Sequence, residues 1–515
     1  MAVLAKTYTC GLDGVNGFPV EVEAYISGGM VGFEIVGLPS AAVKESRDRI
    51  RAAISVSHLP FPGGKVTVNL APADVRKEGT AFELAIAMAL LSAKLPDAFR
   101  ELDATIFLGE LSLQGRLMPV RGALGMAITA AEHGFRNLIL PEENALEVAC
   151  IDGLRVYPAN TLRQVFDHMT GEAPLTLQPK MDFEELQRAA VIRNDLKYVK
   201  GQPVARQALE VAAAGGHNLL MVGIPGSGKT MLARCLPGIL PPMTYEEALE
   251  TTLIHSAAGE LPENSGLMTI RPFRTPHHNI SMPAMIGGGT RVKPGEVSLS
   301  HNGVLFLDEL PEFQRATLEA LRQPLEDGFV TITRVSGQSR YLSRCMLVAG
   351  MNPCPCGFYG SQKKPCTCSA AEIKRYLSKI SGPLLDRIDM QIEMDAVSVE
   401  EIENAREQED SATVRARVLK ARKLQQERYH GLNIFCNAQL HQEGLEQFCA
   451  MTKEAKQLLL SAVDRFSISM RTYGRIQKVA RTIADLAGSE CIDSIHISEA
   501  VQYRSLDRKY WHAGE

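Results

Sequence analysis

Two hydrophobic periods alternate along this chain, and the places where they switch mark out its organisation. Val20-Glu21-Val22-Glu23-Ala24-Tyr25 and Lys65-Val66-Thr67-Val68-Asn69-Leu70 set apolar side chains at every second position, the period of a half-buried strand. Phe82 to Ala93 and Gly125 to His133 carry helical spacing instead. Residues 1–170 therefore read as an α+β domain. The segment 171–194 opens with Gly171-Glu172-Ala173-Pro174 and has linker composition. From 195 to 395, short apolar runs alternate with helical stretches, the pattern of a parallel sheet in an α/β domain. Residues 396–515 turn helical. Glu400 to Arg428 is long and charged, whereas Thr452 to Phe466 and Tyr473 to Ala487 show apolar residues at helical spacing. The expected fold class is α/β, flanked by an N-terminal α+β domain and a C-terminal helical domain.

Composition narrows the setting. A length of 515 residues exceeds a single core, and contents of 45% hydrophobic and 22% charged residues are ordinary for a globular protein. The start, Met1-Ala2-Val3-Leu4-Ala5-Lys6, lacks a secretory apolar stretch, and no apolar run approaches the ~20 residues of a membrane-spanning helix. A cytoplasmic protein without membrane contact is expected. The net charge of −4 confines any nucleic-acid site to a local basic surface. Eleven cysteines in such a chain point to thiols or metal ligands rather than disulfides.

The most informative run is Gly223-Ile224-Pro225-Gly226-Ser227-Gly228-Lys229-Thr230, which follows the apolar stretch Leu219-Leu220-Met221-Val222. This is a complete phosphate-binding loop. Its glycines let successive backbone N–H groups face phosphates, Lys229 reaches the terminal phosphates, and the Thr230 hydroxyl can ligate Mg2+. ATP and Mg2+ are the implied cofactors. Farther on, Val304-Leu305-Phe306-Leu307 ends in Asp308-Glu309. Asp308 would hold Mg2+ through its water shell, and Glu309 would polarise the water that attacks the γ-phosphate. A third apolar run, Cys345 to Met351, ends at Asn352. That amide either positions the lytic water or simply starts a turn before Pro353. Arg387 lies among acidic neighbours and Arg471 opens a helix, and neither is distinctive alone.

Two further patterns carry chemistry. Cys354, Cys356, Cys366 and Cys368 are crowded into one short segment, where four thiolates can close a tetrahedral Zn2+ site or stay as free thiols. Gly328 to Arg334 and Gln338 to Leu342 alternate like the two strands of a hairpin, with Arg334 and Arg340 flanking its tip. Such arginines either neutralise a nucleic-acid backbone or merely face solvent. An insertion around 269–295 adds Arg271, Arg274, Arg291 and Lys293.

The phosphate loop, Asp308-Glu309, Asn352, Arg387 and Arg471 occur in an order and at spacings that resemble the AAA+ ATPases of the magnesium-chelatase and MCM helicase branch. The match extends through Arg271-Pro272-Phe273-Arg274-Thr275-Pro276-His277-His278 and Gly295 to Gly303. Over nearly its full length the chain resembles the magnesium-chelatase-like bacterial competence proteins of the YifB family. The resemblance implies that Asn352 is sensor 1, that Arg387 is an arginine finger serving a neighbouring subunit, and that Arg471 is sensor 2 in a helical lid. An arginine finger acting in trans implies a homo-oligomeric ring, expected to be a hexamer. In the resembling helicases such a hairpin projects into the ring's pore, which makes Arg334 and Arg340 candidate DNA contacts, and the insertion with Arg271, Arg274, Arg291 and Lys293 could form another pore loop, Lys293 being its candidate DNA contact.

Gly109 to Val120 and Leu138 to Asn144 resemble the proteolytic domain of Lon proteases, a ribosomal S5 domain 2-like fold that uses a Ser-Lys dyad. The nucleophile position falls on Ala81 and the lysine position on Leu124. Alanine cannot attack a carbonyl and leucine cannot accept a proton, so the domain is expected to be non-catalytic. The resemblance as a whole implies a DNA helicase or translocase, acting on single-stranded and branched or duplex DNA, that promotes branch migration during recombination of transforming DNA. The alternatives are a magnesium-chelatase motor subunit and a non-proteolytic assembly platform.

Overall fold

The computed structural model describes residues 3–262, 265–289, 293–334, 337–361, 364–395, 408–466 and 469–511, with the side chains of Arg334, Phe466 and Arg508 outside the description. The chain forms two compact units. The first comprises residues 1–189, 244–269 and 333–341, and the second takes in 190–243, 270–332 and 342–515.

In the first unit a seven-stranded sheet runs in the order 32–36, 65–71, 16–27, 3–13, 105–107, 137–141, 155–159. Val3–Asp13 and Asn16–Ser27 form an antiparallel hairpin paired from Val3 with Ile26 to Asp13 with Asn16. The alternation read from sequence buries Val20, Val22 and Ala24 on one face. Against that face lies helix Glu83–Lys94, which is apolar all round and buried from Glu83 to Ala93. Helix Ala123–Glu132 fills a second apolar cluster with Ile106, Leu138 and Leu140.

Most of the segment expected to be linker belongs to this unit. Leu175 packs against the first cluster, the Gln178 N–H donates to the Val156 carbonyl at 2.9 Å, and helix Phe183–Ala189 sets Phe183 into the second cluster. Helix Tyr245–Ala258, which the sequence reading placed in the central domain, also belongs here. A Thr244–Glu247 capping box starts it and Gly259 ends it.

The second unit is built on a parallel sheet in the order Phe273–Arg274, Val304–Leu307, Met346–Met351, Leu219–Gly223, Met390–Met394. Its long strands are buried throughout, which is why they read as continuous apolar runs. Helices Ser411–Arg428, Lys453–Phe466, Met470–Ala487 and Ser494–Gln502 follow. They share one apolar cluster with the sheet, for example Val418, Leu459 and Ile483 with Leu219 and Val348. The expected boundary at 395/396 adjoins residues 396–407, which lie outside the described residues. No helix among the described residues is long and apolar enough to cross a membrane.

Candidate active site

The site is assembled by register. Leu219–Gly223 pairs in parallel with Met346–Met351, Val222 opposite Met351, and Val304–Leu307 pairs with the same strand, Leu307 opposite Ala349. The residues that follow the three strands therefore emerge together at their carboxyl ends, where open α/β sheets bind ligands. They are the phosphate loop, Asp308-Glu309 and Asn352.

Gly226 and Gly228 hold φ of 78° and 90°, which a side chain would resist, and helix Lys229–Ala233 begins directly afterwards. The Lys229 ammonium is buried and donates to the carbonyls of Gly223 (2.8 Å) and Ile224 (3.1 Å) and to Oδ1 of Asn352 (3.2 Å). Burial pushes its pKa below the ordinary lysine value, and the Asp308 and Glu309 carboxylates oppose that shift. The Thr230 hydroxyl donates to Oδ2 of Asp308 at 2.7 Å, bringing the two expected Mg2+ residues into contact.

Glu309 adopts φ of 53°, and its N–H donates to Oδ1 of Asp308 at 3.0 Å. Left-handed backbone at a residue with a side chain costs about 1–3 kcal/mol and is concentrated at functional sites. The Glu309 carboxylate is half-exposed and lies 3.7 Å from Nδ1 of His278. His278 lies in the Arg271-to-His278 run, where nothing in the sequence marks it out. Its position follows from Phe273–Arg274 pairing in parallel with Val304–Leu307, so that the residues after both strands end side by side.

Arg387 is not joined to the phosphate loop of its own chain. Its guanidinium donates to the carbonyls of Arg322 (2.9 Å) and Pro383 (2.8 Å) and is ion-paired with Glu326. The Asn218 amide, just before the phosphate-loop strand, donates to the Arg387 carbonyl at 2.8 Å. Arg471 is exposed in the first turn of helix Met470–Ala487, which Ser469 caps. One turn on, Arg475 reaches Asp389 at 3.5 Å.

The four cysteines converge. All four sulfurs lie within 4.8 Å of one another, and those of Cys354, Cys356 and Cys366 are 3.4, 3.5 and 3.7 Å apart. Zn–S bonds of about 2.3 Å set tetrahedral sulfurs about 3.8 Å apart, so the set fits such an ion. Backbone N–H groups of Tyr359 and Cys356 donate to the sulfurs of Cys354 and Cys368. Those of Thr367 and Phe358 hold the Cys356 thiol down at about 5, while at Cys366 and Cys368 backbone donation is outweighed by burial and the neighbouring sulfurs, which push those thiols up.

The basic residues divide. Arg271 donates to the carbonyls of Pro241 and Asn302 at 2.6 and 2.7 Å, and Arg274 makes a two-pronged contact with Glu296 at 2.7 and 2.8 Å. Both side chains are held by these contacts within the fold. Arg291 lies outside the described residues, and Lys293 is exposed. Strands Phe329–Arg334 and Gly337–Leu342 form the expected hairpin. Arg340 is exposed on it, whereas the Arg334 side chain is outside the description. On the hairpin's second strand the Ser339 hydroxyl donates to Oδ1 of Asp13 at 3.5 Å.

At the Lon-like positions, Leu124 is fully buried and Ala81 packs into the same apolar cluster, along with Leu249 and Leu253 of helix Tyr245–Ala258. A site that would need a nucleophile and a base is filled with hydrocarbon.

Comparison with known proteins agrees with this geometry. The family described as magnesium chelatase, subunit ChlI matches residues 195–402, its C-terminal part matches 408–504, and the description subunit ChlI of Mg-chelatase matches 22–144. Competence protein ComM of Haemophilus influenzae is 42% identical over 509 residues, covering 98% of each chain. The uncharacterized protein YifB of Escherichia coli is 42% identical over 510 residues, 99% of this chain and 98% of its own. A Lon protease of Roseiflexus castenholzii is 30% identical over 156 residues, 28% of this chain and 17% of that one.

Proposed function

The chain belongs to the ComM and YifB family of magnesium-chelatase-like AAA+ ATPases, and from that premise we propose that it is a ring-forming, ATP-driven DNA helicase or translocase that promotes branch migration when transforming DNA recombines. The observation that carries the reading is the meeting of Lys229, Thr230, Asp308 and Asn352 at the carboxyl ends of three adjacent parallel strands. The word competence in the name of the Haemophilus relative supplies the direction toward DNA.

In this reading Thr230 and Asp308 would hold Mg2+, which would supply charge neutralisation at the phosphates. Lys229 exchanges the carbonyls of Gly223 and Ile224 for the terminal phosphates, and Asn352 fixes the γ-phosphate side of the site. Glu309 accepts the proton of the attacking water. Arg387 serves the site of the adjacent subunit in a hexameric ring, where such an arginine is worth about 10³–10⁵ in rate. Arg471 closes the lid over the nucleotide. Arg334, Arg340 and Lys293 contact the DNA backbone, and the four cysteines hold a structural Zn2+ apart from the hydrolytic chemistry.

The test is DNA binding by Glu309→Gln protein, whose nucleotide contacts are intact. Retention of labelled branched DNA with ATP and its release with ADP supports a motor on DNA. Equal, negligible binding in both states rejects it, and insertion of Mg2+ into a tetrapyrrole by the protein with its partners would favour the chelatase alternative.

A further inference from the structure

The cysteine knuckle touches the phosphate loop. Cys354 is two residues beyond Asn352, and both Pro353 and Cys354 are buried. The knuckle's first turn closes where the Gly357 N–H donates to the Cys354 carbonyl at 3.0 Å. Gly357 is buried, with φ of 86°. A Cβ there would lie 2.6 and 2.7 Å from Cδ and Cγ of Pro225 and 3.9 Å from Cγ of Asn352. The bare backbone of this turn thus rests on the ring of Pro225, in the loop that cradles phosphates. On its other side the knuckle runs into helix Ala370–Leu377 through a Ser369–Glu372 capping box. That helix buries Tyr376 and Leu377 in the apolar cluster that holds Ala349 and Met351 of the strand before Asn352. The segment therefore leaves the sheet at Asn352 and packs back against the same strand at Tyr376, and the sulfur cluster sits between.

We propose that the metal-held knuckle is a brace for the phosphate loop, so that metal occupancy at Cys354, Cys356, Cys366 and Cys368 sets the affinity for nucleotide. The inference rests on the zinc reading given above. A tetrahedral ion fixes the turn Cys354–Gly357 from within. Without it the only covalent constraint on that turn is the chain itself, and the surface offered to Pro225 is no longer held. Pre-organising a loop in its bound shape raises affinity by removing the ordering cost, and loosening the brace reverses this. Gly357 is the contact point. It carries no side chain that could ligate an ion, which separates the brace from the metal.

The experiment measures two quantities on the full-length protein, bound zinc by elemental analysis and the Kd of a fluorescent ADP analogue. Cys366→Ser/Cys368→Ser protein is expected to lose zinc and to bind the analogue about tenfold more weakly. Gly357→Ala is expected to keep one zinc and to weaken binding comparably, because its methyl group overlaps Pro225. Pro225→Ala in the Gly357→Ala background removes the overlapping ring and should recover part of the affinity, a non-additivity that general unfolding would not produce. Absence of zinc in the parent protein overturns the metal reading, with it the metal dependence of the brace. Zinc present, with nucleotide affinity unchanged both by its loss and by Gly357→Ala, overturns the brace alone.

Discussion

The ammonium of Lys229 donates to Oδ1 of Asn352 across 3.2 Å, although 123 positions separate them in the chain. The contact exists because their strands are parallel neighbours that end level, with Val222 opposite Met351. It ties the phosphate-binding residue to the residue expected to sense the γ-phosphate, so binding that draws Lys229 away also frees the amide. On the proposed function, phosphate binding by Lys229 and sensing by Asn352 would be linked through this one contact.

Lys229→Ala should weaken nucleotide binding, whereas Glu309→Gln should bind ATP as the parent does and fail to turn it over. The two side chains have different tasks, phosphate contact and water activation. Equilibrium binding and steady-state hydrolysis of both variants check this. Parental turnover by Glu309→Gln removes that carboxylate from catalysis.

His278 should act on Glu309 rather than on nucleotide. With Nδ1 3.7 Å from the carboxylate, its loss in His278→Ala should lower kcat about tenfold or less while leaving the nucleotide Kd in place, the size expected of one lost polar contact. Equal effects on kcat and Kd would make His278 part of the binding surface instead.

Arg387 should be needed on the neighbouring subunit. Mixing Arg387→Ala with Lys229→Ala protomers should restore part of the ATP turnover, since each defect lies on a different side of a subunit boundary. Mixed rings verified by mass that remain inactive would place Arg387 in a role within its own chain, where it already contacts Arg322, Pro383 and Glu326.

The Lon-like positions should tolerate no return to polarity. Leu124 is fully buried in hydrocarbon, so Leu124→Lys should destabilise the protein by on the order of 3 kcal/mol, seen as a lower thermal midpoint. The unmodified N-terminal domain should resist labelling by a serine-reactive hydrolase probe, and labelling there would overturn the non-catalytic reading.

How much of this was legible in the sequence depended on how local each signal is. The phosphate loop is contiguous, and its strand, glycines, Lys229 and Thr230 are read in one line. Asp308-Glu309 and Asn352 end buried strands that show as apolar runs, so their candidacy was visible, but their meeting depends on strand order. The cysteines announced a cluster by spacing, and only the fold shows Gly357 seated on Pro225. The partners of Arg271 and Arg274, the Pro241 and Asn302 carbonyls and Glu296, are set by tertiary packing and leave no mark in the sequence. Helix Tyr245–Ala258 groups with the first compact unit for a related reason. Its sequence shows that Leu249 and Leu253 need an apolar surface, but not that the surface is the cluster around Leu124.

The hairpin contributes a quantitative expectation. If Arg340 contacts a phosphate, Arg340→Ala should lower the slope of log K against log salt by about 0.7 on single strands or 0.9 on duplex. Basal ATP hydrolysis should persist. An unchanged slope would remove Arg340 from the DNA path.

The central claim is that this ATPase moves DNA, and ATP turnover by the purified protein with and without a four-way DNA junction tests it most directly, with junction resolution followed in the same reaction. The account predicts turnover that rises severalfold with the junction, strand products that appear only with ATP and Mg2+, and loss of both in Glu309→Gln. Turnover indifferent to every DNA structure, with the junction left intact, would contradict it.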